Sequence, residues 1–213
     1  MKKRILLLSI SIIIISLFNN DITSAEGPKN YLKGKFYSTV KNHFLIATEK
    51  MRDDRFSKTV IIMLENDKNS SWGLVINKRI GIMPLAMLID PSLNNSKERE
   101  ELFKINIPIF WGGPVDTKEI FILHSTEYKS KSTKKYGNVS ISQDYDILID
   151  IADNKGPEKS LVILGYAGWG GGQLEGEMER DHWILSEIDL NIMFDNDYKK
   201  KWNKAFKNSF IKI

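Results

Sequence analysis

Cysteine is absent from all 213 residues. That excludes disulfides, zinc fingers, iron–sulfur clusters, thiol catalysis and lipid attachment through a thiol. Histidine is scarce. His43, His124 and His182 are the three present, and none has the HxxxH or HExxH spacing that places two imidazoles on one metal. There is no GxSxG elbow to expose a serine nucleophile. Neither the GxGxxG fingerprint nor the Lys-Ser/Thr phosphate loop occurs, and no EF-hand turn accompanies the acidic residues. No repeat and no Pro- or Ser-rich linker divides the chain. The motifs therefore predict no catalytic set, no metal site and no cofactor.

What is present begins with a basic start and a short apolar run. Lys2, Lys3 and Arg4 precede Ile5 to Phe18, a stretch without charge. Fourteen helical residues span about 21 Å, short of the ~30 Å hydrocarbon core. With Thr23-Ser24-Ala25 behind it, this run reads as a secretory signal cleaved after Ala25, which would export the protein to a compartment such as the periplasm. The alternative is an uncleaved anchor, and that segment would then be the route to a membrane. Residues 26–213 read as one domain. They carry 28 basic and 26 acidic residues, too even a balance to argue for nucleic acid.

Hydrophobic patterning sets the expected elements. Phe44–Ala47, Thr59–Leu64, Trp72–Ile76 and Leu161–Leu164 are short apolar runs of buried-strand type. Asn66-Asp67-Lys68-Asn69-Ser70 between the second and third is turn chemistry, which predicts a hairpin. Pro108–Trp111 and Ile120–Leu123 flank Gly112-Gly113-Pro114 and are expected to pair. Helices are predicted after Pro84, over Tyr145–Ala152 with Asp144 as its cap, and over Gln173–Arg180. A last helix is predicted behind Asp197, with Tyr198, Trp202, Ala205 and Phe206 as its apolar stripe. Trp183–Leu185 reads as extended. Early clustered strands with a local hairpin predict an α+β fold, its mainly antiparallel sheet forming a small barrel-like core surrounded by helices.

The densest local signal is Leu161–Glu177, where an apolar strand runs into five glycines within eight residues (Gly165, Gly168, Gly170, Gly171, Gly172) and then into a helix. Glycine reaches positive φ cheaply and admits close approach of another backbone or a ligand. Two readings follow: a tight structural corner around Trp169, or a ligand or partner surface. Glu175 with Glu179 and Glu177 with Asp181 are i, i+4 carboxylate pairs, suited to a divalent cation or, more simply, to a helix dipole. His124 ends a strand and precedes Ser125, making it the best-placed general base of the three histidines. Asp53-Asp54-Arg55-Phe56 predicts either a local charge-assisted hydrogen bond or the charged rim of a pocket. Lys199, Lys200, Lys201, Lys204 and Lys207 give the last helix a basic face, suited to a solvated surface or to an anionic partner such as nucleic acid.

FLIATEKMRDDRFSKTV (44–60), WGLVINK (72–78), IFWGGPV (109–115), FILHS (121–125) and GYAGWGGGQLEGEM (165–178) occur in an order that resembles the YqgE/AlgH family. The resemblance covers about residues 30–206. It implies a compact α+β domain with a small closed barrel and surrounding helices, and it implies no known activity. The family usually shows Asn-Arg-Pro after the third strand, where this chain has Asn77-Lys78-Arg79, and its members usually lack a signal-like extension and are cytoplasmic. The residues and the resemblance together predict a non-catalytic binding or regulatory module. Its surface would comprise Gly165, Gly168, Trp169, Gly170, Gly171, Gly172, Gln173 and Glu175, with Asn77, Gly112, Gly113 and His124 as neighbours. Its partner would be a small ligand or a protein. The alternatives are an enzyme using His124 with Glu175 or Glu177 as acid and base, and a nucleic-acid-associated regulator using the lysine-rich helix.

Overall fold

The computed structural model describes residues 29–30, 35–36, 38–89 and 100–211. The signal-like segment lies outside the described residues. A two-stranded ladder joins β1 (Lys29–Asn30) and β2 (Lys35–Phe36). The rest of the β-structure is one ten-stranded sheet. Its strands are β3 (His43–Ala47), β4 (Val60–Asn66), β5 (Ser70–Val75), β6 (Arg79–Pro84), β7 (Asn106–Trp111), β8 (Val115–His124), β9 (Lys134–Tyr136), β10 (Val139–Ser142), β11 (Ser160–Gly170) and β12 (Trp183–Glu187). Among the described residues, the helices that accompany it include α1 (Asp146–Ala152), α2 (Gln173–Glu179), α3 (Leu190–Met193) and α4 (Lys201–Ile211). The main path runs β12-β3-β4-β5-β11-β8-β10-β9, with β7 joining on β11 and β6 on β7.

All pairings in this sheet are antiparallel except β7 with β11. The α+β class with a barrel-like core is as expected, although the sheet curls into a half-barrel rather than a closed one. The β4–β5 hairpin forms where predicted, and Asp67 fastens its turn by accepting the Asn69 and Ser70 N–H groups at 2.7 and 3.0 Å. The expected pairing of Pro108–Trp111 with Ile120–Leu123 does not occur. β11 lies between them, taking β7 in parallel and β8 antiparallel over the same residues, Val162–Leu164.

The apolar runs read as continuous because both faces of the central strands are buried. Phe44, Ile46, Ile62, Leu74, Phe121 and Ile163 face the inside of the half-barrel, where Trp202 and Ala205 of α4 join them. The alternate residues Leu45, Ala47, Ile61, Met63 and Val75 pack outward with Trp169 and Trp183, beneath Leu174 and Met178 of α2. A third cluster gathers Ile109, Ile122 and Val162 under Ile147 and Leu148 of α1.

Several helix expectations need correction. The segment after Pro84 makes a single 3-10 turn, Leu85–Met87, because Pro84 closes β6 instead. Asp144 does not cap α1. Its carboxylate is taken by the Ser130 and Ser132 hydroxyls and the Ser132 N–H. Asp197 heads a separate turn, accepting the Lys200 N–H on its carbonyl at 3.0 Å, and α4 starts at Lys201.

β11 is the spine of the molecule. Its first half lies between β7 and β8, its second half pairs with β5, and a bulge at Gly165 separates the two. Gly165 adopts φ +70°. The Gly112-Gly113 turn crosses it so closely that a Cβ on Gly112 would lie 2.1 Å from the Gly165 carbonyl oxygen, and one on Gly113 2.1 Å from the Tyr166 carbonyl carbon. Hydrogen bonds lock the crossing: Gly112 N–H to Leu164 C=O at 2.8 Å, and Val75 N–H to Gly112 C=O at 3.0 Å.

Candidate functional site

The end of β11 delivers Trp169 to the outer face, and Gly171 and Gly172 turn the chain into α2. Gly172, at φ +76°, is the residue before the helix. Gln173 folds back so that its Oε1 accepts the Gly170 N–H at 3.2 Å, while its Nε2 donates to Glu177 Oε1 at 3.1 Å. The other Glu177 oxygen accepts two indole N–H groups, from Trp169 at 3.0 Å and from Trp183 at 2.7 Å. Three donors from three positions therefore converge on one carboxylate. Hydrogen bonds to a charged acceptor are the stronger kind, and here they orient two large rings at once.

Those rings form one wall of a recess of about 270 Å³. Trp169 and Trp183 meet edge to face with centroids 6.0 Å apart. Phe56 bridges them at 6.5 and 5.8 Å, and Trp111 stands 5.5 Å beyond Phe56. Each such contact is worth roughly 0.5–1.5 kcal/mol beyond its buried area. Arg52, Arg55 and Arg180 line the recess. Arg55 is paired with Asp53, Nη2 to Oδ2 at 2.6 Å and Nε to Oδ1 at 3.0 Å. That hydrogen bond holds the Asp53 carboxyl below the usual carboxylate range. Both readings of Asp53–Phe56 thus hold: a local ion pair, and a charged rim. Among the described residues neither Arg52 nor Arg180 has a carboxylate within salt-bridge distance. Partial burial, followed by the Arg180 charge, lowers the pKa of His182, which also lines the recess.

The predicted surface is thus divided. Gly168, Trp169 and Gln173 line this recess, and Gly168, Trp169 and Gly170 border a second one on the inner face. Glu175 sits half-exposed on the first turn of α2 and lines neither. Gly112, Gly113 and Gly165 are spent on the chain crossing. Asn77 is buried at 9% exposure, and its amide pins the approach to β4 by accepting the Val60 N–H and donating to the Lys58 carbonyl, both at 2.8 Å.

His124 is fully buried. Its Nδ1 faces the Ser125 carbonyl at 2.8 Å, which only accepts, so Nδ1–H donates and Nε2 accepts from the Ser142 hydroxyl at 2.9 Å. Burial lowers the pKa of the imidazole, which favours its neutral form. His124 pairs with Ser160 at the start of β11, nine positions from Trp169, or about 30 Å along a straight strand. The bulge at Gly165 bends that path, but His124 and the α2 carboxylates still belong to opposite ends of β11 and are not brought together. Of the i, i+4 carboxylate pairs, Glu177 is held by the two indoles and Gln173, and Asp181 by Lys50. Among the described residues no group of three or more His, Asp or Glu is arranged to hold a metal.

The lysine-rich helix is also redistributed. Lys201 is fully buried, donating to the Ile76 and Met193 carbonyls at 3.1 and 2.6 Å. Lys200 pairs with Asp197 at 2.7 Å and Lys204 pairs with Asp195.

Sequence reasoning passed over Arg52, Arg180, His182 and Trp183 as members of one site. Arg52 lies inside the MRDDRF block beside Arg55-Phe56, but Arg180, His182 and Trp183 fall just beyond GWGGGQLEGEM, so no motif carried them.

Comparison with known proteins gives one family. The AlgH-like family model (DUF179) matches residues 44–213. A UPF0301 protein of Stutzerimonas stutzeri is 36% identical over 174 residues, 82% of this chain and 90% of the relative. One from Pseudomonas putida is 37% identical over 159 residues, 74% and 82% of the two chains. The solution structure of the AlgH protein from Pseudomonas aeruginosa superposes with TM-score 0.66 at 34% identity, covering 81% of this chain and 89% of that one. A crystal structure of a Corynebacterium diphtheriae protein shares the fold at TM-score 0.62 and 12% identity.

Proposed function

The chain belongs to the AlgH-like family, and on that premise we propose that it is a non-catalytic binding module that takes an anionic group at the tryptophan-lined end of β11. The observation that carries this reading is the state of Glu177. Its carboxylate is engaged by Trp169, Trp183 and Gln173, so it serves as a fixed anchor for an aromatic wall rather than as a free acid or base. With Arg55 matched by Asp53, the remaining charges on the recess are Arg52 and Arg180 against the single Glu177 carboxylate, which neutral donors hold, so the lining is net positive. Apolar ring faces beside guanidinium groups suit an acidic peptide that carries an aromatic side chain, because arginine engages carboxylates bidentately and the rings supply contact area.

The test is a titration of the protein with a short Asp/Glu-rich peptide containing phenylalanine, following the indole N–H resonances of Trp169 and Trp183. Saturable shifts are expected, and Arg52→Ala with Arg180→Ala should weaken binding about tenfold or more. Absence of shifts, or equal binding by the double variant, would overturn the proposal. Turnover of any compound in a broad small-molecule panel would overturn its non-catalytic part. The binding site would work outside the cytoplasm if residues 1–25 act as an export signal. A native N-terminus at Glu26, read by mass spectrometry, is the expected result, and one at Met1 would overturn cleavage and leave the uncleaved anchor as the alternative.

A further inference from the structure

On the opposite face of β11 the inner concavity of the half-barrel opens as a trough of about 460 Å³. We propose that this trough binds an alkylammonium cation. The site shares Gly168 and Trp169 with the arginine-rimmed recess but opens on the other face, and it would take a ligand of opposite charge.

The trough is built around Trp72. Tyr136 and Tyr166 stand nearly perpendicular to it, at 84° and 74°, with centroids 6.4 and 5.7 Å away. Phe121 lies 5.8 Å from Trp72 and meets Tyr166 at 80°. Rings that meet at right angles make a floor and walls, so a compact head group entering the trough touches several π-surfaces at once. Aromatic faces carry negative quadrupole charge and attract an ammonium, with Trp the best and Tyr next. A volume in this range admits a small organic ligand.

The rim supplies the second observation. Glu119 lines the trough and is exposed, with one oxygen accepting from Gln143 Nε2 at 2.6 Å. Glu65 faces the Tyr136 hydroxyl at 3.3 Å. Asp116 lies near enough to Tyr166 to act on its hydroxyl. Burial first, then these carboxylates, raises both tyrosine hydroxyls above their ordinary value, as expected where the local potential is negative. Lys134 is the opposing charge on the lining. On the lining itself Glu119 and Lys134 balance; the excess negative potential comes from Glu65 and Asp116 behind the two tyrosine hydroxyls, and Lys134 is an internal competitor for a cation.

The experiment uses choline, its neutral isostere 3,3-dimethylbutan-1-ol, and Nα-acetyl-lysine amide, each titrated into the full domain while the Trp72 indole N–H resonance is followed. Choline or the lysine amide should bind saturably, and the neutral isostere about tenfold more weakly. Choline ahead of the lysine amide points to a free small cation, and the reverse order points to a protein side chain. Glu119→Gln should weaken cation binding about threefold, and Lys134→Met should strengthen it. Both positions are exposed, so both variants should fold. Trp72→Leu should abolish binding, read by calorimetry because this variant lacks the reporter resonance. Equal affinity for choline and its isostere, no binding of either cation, tighter binding of acetate than of choline, or indifference to both exposed substitutions would overturn the assignment.

Discussion

At the scale of single residues, two of the glycine positions make opposite demands. Gly113 sits at φ +153°, and a Cβ there would lie 2.1–2.2 Å from the backbone atoms of Tyr166 and Ala167. Backbone cannot step aside as a flexible side chain can, so Gly113→Ala should cost about 3 kcal/mol or more, or prevent folding. Gly170 has nothing within 4 Å of its would-be Cβ, and Gly170→Ala should stay within about 1 kcal/mol of the parent. Urea unfolding of the two variants measures both; equal costs would contradict the crossing described above. Within the glycine run the demand is uneven: a Cβ on Gly171 would lie 2.7 Å from the Lys68 carbonyl oxygen and Gly172 holds φ +76°, whereas Gly170 is unconstrained. Glycine density between Gly168 and Gly172 is conspicuous in one dimension. Steric need is set by what another segment brings close, here Gly112-Gly113, and no local pattern records that approach. Asp144 makes the same point for charge. An aspartate just before a helix reads as a cap, yet the serine hydroxyls of a loop twelve and fourteen residues earlier capture it.

Among the elements, legibility followed unbroken apolar runs and not burial alone: β10 is buried throughout, but it reads Val-Ser-Ile-Ser and was not anticipated. β3, β4, β5 and the first half of β11 are covered on both faces and appear in the sequence as unbroken apolar runs. β6, with Ile80 and Ile82 at 58% and 59% exposed, and β9, reading Lys-Lys-Tyr, have no such run, and neither was anticipated. The last helix carries the property easiest to misread. Its lysines look like one basic face, but Lys201 points inward and burial pushes its pKa down from 10.5 to about 8. The unfolded chain therefore binds this proton up to pH about 10.5, while the folded chain releases it near 8. In that window the unfolded state holds more protons, so stability should rise with pH, by at most about 3 kcal/mol from this group. Lys201→Met should flatten that rise relative to the parent. Chemical unfolding at pH 7, 8, 9 and 10 would show it, and parallel curves for parent and variant would refute it.

Across the whole molecule, stability should be graded outward from β11. Residues Val162–Leu164 are hydrogen-bonded in a sheet that has β7 on one side and β8 on the other, and the strand then continues onto β5 past Gly165. To open these amides the chain must separate both halves of the half-barrel, and that is global unfolding. β9 has one neighbour, β10, and its side chains are exposed or half-exposed. It can detach while the three packed clusters stay intact. Local openings of this kind span the range from near zero to the full unfolding free energy. Native-state hydrogen exchange should therefore place the Val162–Leu164 amides in the slowest class and Lys134–Tyr136 at least about a hundredfold faster. The prediction bears on function because Tyr136 of β9 is a half-exposed wall of the aromatic trough, whereas Trp169, at the end of β11, and Trp183, on the edge strand β12, are both buried and held by one Glu177 oxygen. The trough would then have a movable wall and the arginine-rimmed recess a fixed one. A cation seated against Tyr136 should slow exchange along β9 and leave β11 unchanged. Uniform slowing of every strand, or β9 amides as protected as those of β11 in the free protein, would show that the half-barrel opens as a single unit and that this grading is wrong.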